Sequence, residues 1–281
     1  MIEFGKINKL EVIKQKEYGY FVGIKDGEDK IEILLPTGNI VDPESVVIGE
    51  DVDVFVYKDS LGRLVATQKT PKAFAEEIAV LTVAENTEIG SFVNIGLERD
   101  VLVPFREKKY PIFEDEKYPF YVYVDKSGRL AATTDIEEHL SLDSKMNLED
   151  TCNAYVYGFQ SNQTALVCIE PNISGIILRD EYYTSLKEGD YLKNLRVIKI
   201  YEDGKLGLTT RAERKEEMDS LEKRIFSYME GNDGFMRFND KSNPDDLRMV
   251  FNTSKKNFKR TLGNMMKNNI VRQDEDGTWL I

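Results

Sequence analysis

The chain has 281 residues, of which 41% are hydrophobic and 31% charged, and its formal net charge is −12. This length is typical of two domains, or of more when the units are small. No apolar run approaches the roughly 18 residues that a membrane span needs. The first residues lack the basic start, apolar stretch and cleavage site of a signal peptide. We therefore expect a cytoplasmic protein that does not enter a membrane.

Cysteine and histidine are scarce. Cys152 and Cys168 form no C-x-x-C pair, so we expect two buried thiols in a reducing compartment. His139 is the single histidine, and it is expected on the surface. Histidine-based triads and metal sites would all need this residue, and no Gly-rich phosphate loop occurs. Carboxylate-only catalysis is not excluded by these counts. We predict no catalytic residue, no metal site and no cofactor.

Three segments share one pattern: apolar and polar residues alternate, an acidic residue and a glycine follow, and an apolar run ends in threonine. They are Val54–Thr67, Phe120–Thr133 and Arg196–Thr210. The pattern is typical of a β-hairpin. Their glycines, Gly62, Gly128 and Gly204, lie 66 and 76 residues apart. This spacing is too long for a solenoid repeat and suits small barrel domains of roughly 70 residues.

Further short β-branched runs precede each hairpin. The predicted strands are 7–13, 18–24 and 30–35, then 78–83, 91–97 and 101–103, and finally 153–159, 165–169 and 175–178. Five strands per unit is the size of an OB-type barrel, which closes on itself and so limits its exposed edges. The sequence therefore predicts a mainly β protein with three tandem five-stranded OB-fold barrels, at residues 1–70, 71–143 and 144–211.

Residues 212–281 change to a helical pattern. Residues 212–230 place apolar side chains at three- and four-residue spacing, and a glycine-rich turn at 231–234 ends that helix. A second helix is predicted over 244–251, with Asn243 as its N-cap, and a third over 255–267, capped by Thr253 or Ser254. A hairpin over 270–281 follows. Three helices and a hairpin indicate an α+β winged-helix domain.

The charge is distributed unevenly. Residues 1–70, 71–143 and 144–210 carry net charges of −4, −7 and −2, whereas 211–281 has 14 basic and 13 acidic residues, net +1. Within this last part, residues 247–273 contain seven basic residues and no acidic one. Such a segregated basic patch is the electrostatic feature that nucleic-acid binding requires, even in an acidic chain.

Two strand motifs carry a resemblance to a known domain. Gly19-Tyr20-Phe21-Val22 and Gly90-Ser91-Phe92-Val93 resemble the G-A-F-V strand of the S1-type RNA-binding domain, and the hairpins resemble that domain's final strands. The order of the units, with the C-terminal domain, is similar to the conserved virulence factor B family of bacterial RNA-binding proteins. The resemblance covers nearly the whole chain.

The resemblance implies an outward-facing aromatic residue that stacks on a base, worth roughly 1–3 kcal/mol. Strand alternation agrees, because Phe21 must face outward when Tyr20 and Val22 face inward. We therefore predict RNA contacts at Phe21 and its companion Tyr18, and at Phe92. The third barrel departs from the motif, with Thr164-Ala165-Leu166-Val167 in its place. It would act as a spacer or bind through Tyr155 and Tyr157.

Basic residues at two places are predicted to contact phosphates. Arg106, Lys108 and Lys109 follow the third strand of the second barrel. Lys255, Lys256, Lys259 and Arg260 share one face of the third helix, away from Phe258 and Leu262.

These features predict a non-enzymatic protein that binds single-stranded RNA through several weak modules, with duplex nucleic acid as a further ligand of the winged helix. The resemblance implies post-transcriptional regulation, including that of virulence genes, in a bacterium. Two alternatives remain open. One is a DNA-binding transcription factor that uses the winged helix. The other is a protein-interaction adaptor of the translation machinery.

Overall fold

The computed structural model of the chain describes residues 2–26, 29–59, 61–182, 184–210, 214–274 and 276–281. It contains three closed five-stranded barrels, which we number in chain order, and a C-terminal domain of three helices and a small sheet. This confirms the predicted fold class.

The three barrels have the same strand order. Barrel 1 comprises β1 (Lys6–Lys16), β2 (Gly19–Asp26), β3 (Asp29–Pro36), β4 (Asp51–Lys58) and β5 (Leu64–Thr67). Barrel 2 comprises β6 (Glu77–Thr87), β7 (Gly90–Asn94), β8 (Val101–Pro104), β9 (Lys117–Val124) and β10 (Leu130–Thr133). Barrel 3 comprises β11 (Thr151–Phe159), β12 (Ala165–Ile169), β13 (Ile173–Ile177), β14 (Tyr191–Ile200) and β15 (Leu206–Thr209). In each, the third and fifth strands pair in parallel and close the ring.

Alternation of side chains fills each barrel. In the first half of β4, Val52 and Val54 are buried, whereas Asp51 and Asp53, which alternate with them, are exposed. The first strand of every barrel also carries a β-bulge, after Val12, Val83 and Val156 respectively. A bulge bends a strand and strengthens its twist, which is how one long strand contributes to both sides of a small barrel.

The C-terminal domain contains the predicted helices and hairpin in order, with one additional short strand between the first two helices. It comprises α1 (Arg214–Glu230), β16 (Phe235–Met236), α2 (Pro244–Phe251), α3 (Lys255–Lys267), β17 (Val271–Gln273) and β18 (Thr278–Leu280). The Asn243 side chain caps α2 by accepting from the Asp245 N–H, and Ser254, not Thr253, caps α3. Residues 212 and 213, where the first helix was predicted to begin, lie outside the described residues.

Most of the predicted strands differ from the observed ones by one to four residues at one or both ends. β7 ends at Asn94 rather than at Leu97, because the Asn94 side chain accepts a hydrogen bond from the Gly96 N–H and starts a turn. β13 begins at Ile173 instead of Gly175, since Ile173 pairs with Ile169 of β12; Ile173 also forms an isolated parallel bridge with Ser141, which precedes barrel 3. A contact with a distant segment of this kind leaves no local pattern in the sequence.

Barrels 1 and 2 pack against each other. The ring of Phe55, which is fully buried, meets Phe74 of the connecting segment with centroids 5.9 Å apart. The Lys58 ammonium donates to the Ser127 carbonyl of barrel 2 at 2.7 Å. The hairpin β4–β5 of barrel 1 is therefore anchored on the corresponding hairpin of its neighbour.

Barrels 2 and 3 share a buried cluster. Tyr157 and Cys168 of barrel 3 belong to the same cluster as the core of barrel 2, and Tyr157 is only 9% exposed. The backbone continues the contact, because Ser141 donates to the Asn172 carbonyl at 2.8 Å and accepts from the Ser174 N–H at 2.9 Å. The two barrels therefore form one packed unit.

This packing predicts that Tyr157→Ala lowers the free energy of unfolding by about 3 kcal/mol, because it empties a buried aromatic site between the two barrels. Denaturant titration followed by circular dichroism measures the change. Tyr18→Ala is the matched control, because Tyr18 is 60% exposed and its loss should cost at most about 0.5 kcal/mol. Equal stabilities for the two variants would show that the barrels do not depend on this contact.

Candidate nucleic-acid interface

Strand pairing aligns five residues across the outer face of each barrel, and we call this set the outer row. In barrel 1 the outer row is Lys14, Phe21, Leu34, Val65 and Tyr57. The residues next to Phe21, Leu34 and Val65 along their strands, Val22, Ile33 and Ala66, lie in the core. The outer row therefore faces away from the core, as predicted for Phe21.

Barrel 1 presents an aromatic pair beside a cation. The Tyr18 and Phe21 rings meet edge to face with centroids 6.2 Å apart, and the Lys14 ammonium lies 4.8 Å from the Phe21 ring centroid. Lys14 also pairs with Glu32. An exposed aromatic surface next to an ammonium group can stack on a base and attract its phosphate.

The glycine of the strand motif has a structural role. Gly19 has φ of +150°, and a Cβ there would lie 2.3 Å from the Leu35 carbonyl oxygen. Gly90 is equivalent, with φ of +152° and a distance of 2.2 Å to the Val103 oxygen. Only glycine lets the two strands approach this closely. The glycine thus shapes the strand on which the aromatic residue is presented.

The outer row of barrel 2 has the same geometry as that of barrel 1, but an acidic residue stands in the place of the basic one. Its outer row is Glu85, Phe92, Leu102, Ala131 and Tyr123, so Glu85 stands where barrel 1 has Lys14. Phe92 lines a groove of about 500 Å³ that also contacts the β4–β5 hairpin of barrel 1. Five carboxylates line this groove, against three basic residues: Asp59, Glu85, Glu98, Asp100 and Asp125 against Lys58, Arg99 and Arg129. The groove therefore disfavours a polyanion.

The basic residues after β8 lie on the rim of barrel 2. Arg106 is exposed, Lys108 donates to the Ser91 hydroxyl at 3.2 Å, and Lys109 pairs with Asp135 at 2.8 Å. The hydrogen bond that Lys109 donates to the Asp135 carboxylate raises the pKa of Lys109. The residue before them, Phe105, is 67% exposed and has the Lys108 ammonium 5.1 Å from its ring centroid. The rim thus carries a second aromatic and cationic pair.

Barrel 3 offers no aromatic residue on its outer row, which consists of Gly158, Leu166, Ile176, Gly207 and Lys199. The alternative prediction of binding through Tyr155 and Tyr157 is wrong. Tyr157 is buried in the cluster shared with barrel 2, and Tyr155 is 5% exposed and packs on the Tyr191 ring at 4.5 Å. Burial raises the pKa of both hydroxyls. Neither ring offers an open face on which a base could stack, although Tyr155 is among the residues that line the cleft between barrels 2 and 3.

A cleft of about 1050 Å³ lies between barrels 2 and 3. Its aromatic walls include Phe113, Tyr118 and Tyr191. Five carboxylates and two lysines also line it: Asp115, Glu116, Glu170, Glu188 and Asp190, with Lys117 and Lys187. This excess of negative charge disfavours a phosphate chain.

The basic residues of α3 share the outward face of that helix. Phe258, Thr261, Leu262 and Met265 are buried on the opposite side. Lys256 and Lys259 are exposed, whereas Lys255 and Arg260 are half-buried. The structure therefore brings the four predicted basic residues together on one surface, away from the apolar core.

Part of this surface is neutralised by the domain itself. Asp240 accepts hydrogen bonds from the Lys259 ammonium at 3.2 Å and from the Gln273 amide at 2.9 Å. These two bonds lower the pKa of Asp240, so it is ionised at neutral pH. Lys255 donates to the Lys241 carbonyl at 3.2 Å. The exposed ion pair is worth little, so Lys259 can exchange Asp240 for a phosphate.

The two cysteines and the single histidine lie in different environments. Burial raises the pKa of the Cys152 thiol to about 11 and that of Cys168 to about 12, which leaves both protonated at neutral pH. His139 is exposed, as predicted, and stacks on the Tyr121 ring. Among the described residues, no group of three or more His, Cys, Asp or Glu side chains could hold a metal ion. No helix in the described parts is long and apolar enough to cross a membrane.

Two candidate functional residues were not predicted from the sequence. Phe105 follows a short strand in no recognised motif, and its only signal was an aromatic residue next to basic ones. Asp240 had no signal at all, because its partners Lys259 and Gln273 are 19 and 33 residues away along the chain.

Comparison with known families agrees with the architecture. The S1 domain profile matches residues 4–69 and 77–135, which contain barrels 1 and 2, and barrel 3 lies outside these ranges. The profile of the CvfB-like winged helix domain matches residues 223–280.

Relatives span nearly the whole chain. Uncharacterized protein YitL of Bacillus subtilis is 33% identical over 96% of this chain and 91% of its own length. Conserved virulence factor B of Staphylococcus saprophyticus is 28% identical over 95% of this chain and 91% of its own length. A crystal structure of a Streptococcus pneumoniae multidomain protein with nucleic acid binding domains aligns with a TM-score of 0.52 at 27% identity, covering 99% of this chain and 98% of that one. The chain therefore belongs to the conserved virulence factor B family.

Proposed function

We propose that this protein is a cytoplasmic, non-enzymatic RNA-binding regulator that holds single-stranded RNA on barrel 1 and on the basic face of α3. The surface formed by Tyr18, Phe21 and Lys14 carries the proposal, because it combines stacking rings with an ammonium group on an outward face. The S1 profile match and the nucleic acid binding domains named for the pneumococcal structure support it.

Barrel 1 and α3 are proposed as the main contacts. Each site binds weakly on its own, but linkage in one chain raises the effective concentration of the second site and thus the overall affinity. We propose that Phe92 contributes less than Phe21, since Glu85 and the other carboxylates of its groove repel phosphates. Arg106, Lys108 and Lys109, with Phe105, would extend the path of the RNA along the rim of barrel 2.

The cellular role is proposed from the family. Its staphylococcal members are named virulence factors, and a protein that holds unpaired RNA with modest sequence preference suits post-transcriptional control of such genes. This role can be tested by measuring the decay rate of bound transcripts in cells with and without the protein. Unchanged decay of every transcript that crosslinks to the protein would exclude this role.

The main test is fluorescence-anisotropy binding of the full chain to single-stranded RNA and to duplex DNA of the same sequence, at two salt concentrations. We expect a preference for the RNA, and affinity that falls as salt rises. Preference for duplex DNA, unaffected by changes in barrel 1, would support the transcription-factor alternative. Binding to neither nucleic acid at low salt would favour a protein-interaction adaptor.

We predict that Phe21→Ala weakens RNA binding about tenfold, because a stacked base is worth roughly 1–3 kcal/mol. Phe92→Ala is the matched control, since Phe92 occupies the same place in the outer row of barrel 2. It should weaken binding less than threefold, an estimate that rests on repulsion by the acidic groove. Comparable losses in the two variants would mean that both barrels bind RNA, contrary to the division proposed here.

We also predict that Asp240→Asn strengthens RNA binding about threefold, because it removes the charge that holds Lys259. The slope of log affinity against log salt should steepen by up to about 0.7, the value for one further phosphate contact with a single strand.

Asp246→Asn is the control for this change. It removes the same charge from the exposed side of α2, and among the described residues no basic side chain of α3 donates a hydrogen bond to it. If both variants strengthen binding equally, the effect is one of net charge and not of the Lys259 contact.

A further inference from the structure

The outward face of α3 contains a glycine that folding does not require. Gly263 lies in the middle of the helix Lys255–Lys267, and a Cβ built on it meets no atom within 4 Å. Its backbone is helical, so no positive φ demands glycine. Glycine in a helix interior is unfavourable relative to alanine, because its unfolded backbone is more flexible.

Four cations surround this bare position. Along an α-helix, residues three, four and seven positions apart lie on the same face. Lys256, Lys259 and Arg260 precede Gly263 by seven, four and three positions, and Lys267 follows it by four. Since Phe258, Leu262 and Met265 are buried on the other side, Gly263 lies near the centre of the basic surface.

We propose that Gly263 is a contact point at which the sugar–phosphate backbone of the bound nucleic acid approaches α3. The absence of a side chain lets the backbone reach the helix surface, and the four surrounding cations then lie within pairing distance of successive phosphates. This inference rests on the proposed function of α3, and it adds a binding residue that carries no charge. A helix face selected only for solubility would have no use for a glycine there.

The test is a graded series, Gly263→Ala and Gly263→Leu, in the full chain. Both residues favour a helix more than glycine does, so each variant should raise the unfolding temperature of the C-terminal domain by about 3–6 °C. Trp279 is the single tryptophan of the chain and lies in β18, so its fluorescence reports the unfolding of this domain.

Binding should change in the opposite direction. In the same anisotropy assay with a fluorescein-labelled single-stranded RNA, we expect affinity to fall about fivefold with alanine and further with leucine, because the added atoms hold the backbone away from the helix. Asn264→Ala is the comparison: Asn264 is the next residue, is exposed, and lies about 100° around the helix, where it borders Arg260 and Lys267 but leaves the bare position at Gly263 unfilled. It should stabilise the domain and weaken binding less than Gly263→Ala does.

The outcomes separate this inference from the function on which it rests. If the Gly263 variants are more stable and bind RNA as tightly as the original chain, the contact at Gly263 is excluded. A variant with Lys255, Lys256, Lys259 and Arg260 all changed to Ala tests the basic face itself. If that variant loses affinity while the Gly263 series does not, α3 binds RNA without this contact. If neither change affects binding, both the contact and the proposed role of α3 are wrong.

Discussion

The closure of each barrel by the parallel pairing of its third and fifth strands is the constraint on which the rest of the structure depends. Once the ring is closed, strand alternation determines which residues fill the core and which form the outer row. The bulge in the first strand then sets Lys14 beside Phe21 and Glu85 beside Phe92. The barrels therefore differ at equivalent positions of the outer row, as well as in the residues that surround it.

The three barrels share one strand order but differ in the side chains of their outer faces. Barrel 1 keeps an aromatic and cationic outer face, and barrel 2 keeps the aromatic residue but surrounds it with carboxylates. Barrel 3 has lost the aromatic residue and uses part of its outer face to pack on barrel 2. The net charge of −12 conceals this division, because the acidic and basic surfaces are spatially separate.

The sequence was sufficient for the fold because its signals are local. Alternation, turn glycines and helix caps depend on neighbouring residues, and so the hairpins and the Asn243 cap were predicted correctly. The outward orientation of Phe21 also followed from alternation alone. The burial and the charged surroundings of each site could not be predicted in this way. The burial of Tyr157, the acidic groove around Phe92 and the pairing of Lys259 with Asp240 all depend on segments distant in the chain.

The cluster shared by barrels 2 and 3 also determines where the chain can be divided. Tyr157 and Cys168 lie on the outside of barrel 3, where an isolated barrel would expose them to water. A fragment that begins after residue 143 would therefore present an apolar patch and lose the partner of its bridge at Ser141. A fragment that keeps this cluster covered must therefore contain both barrels. Barrel 3 is in this sense one half of a packed pair with barrel 2.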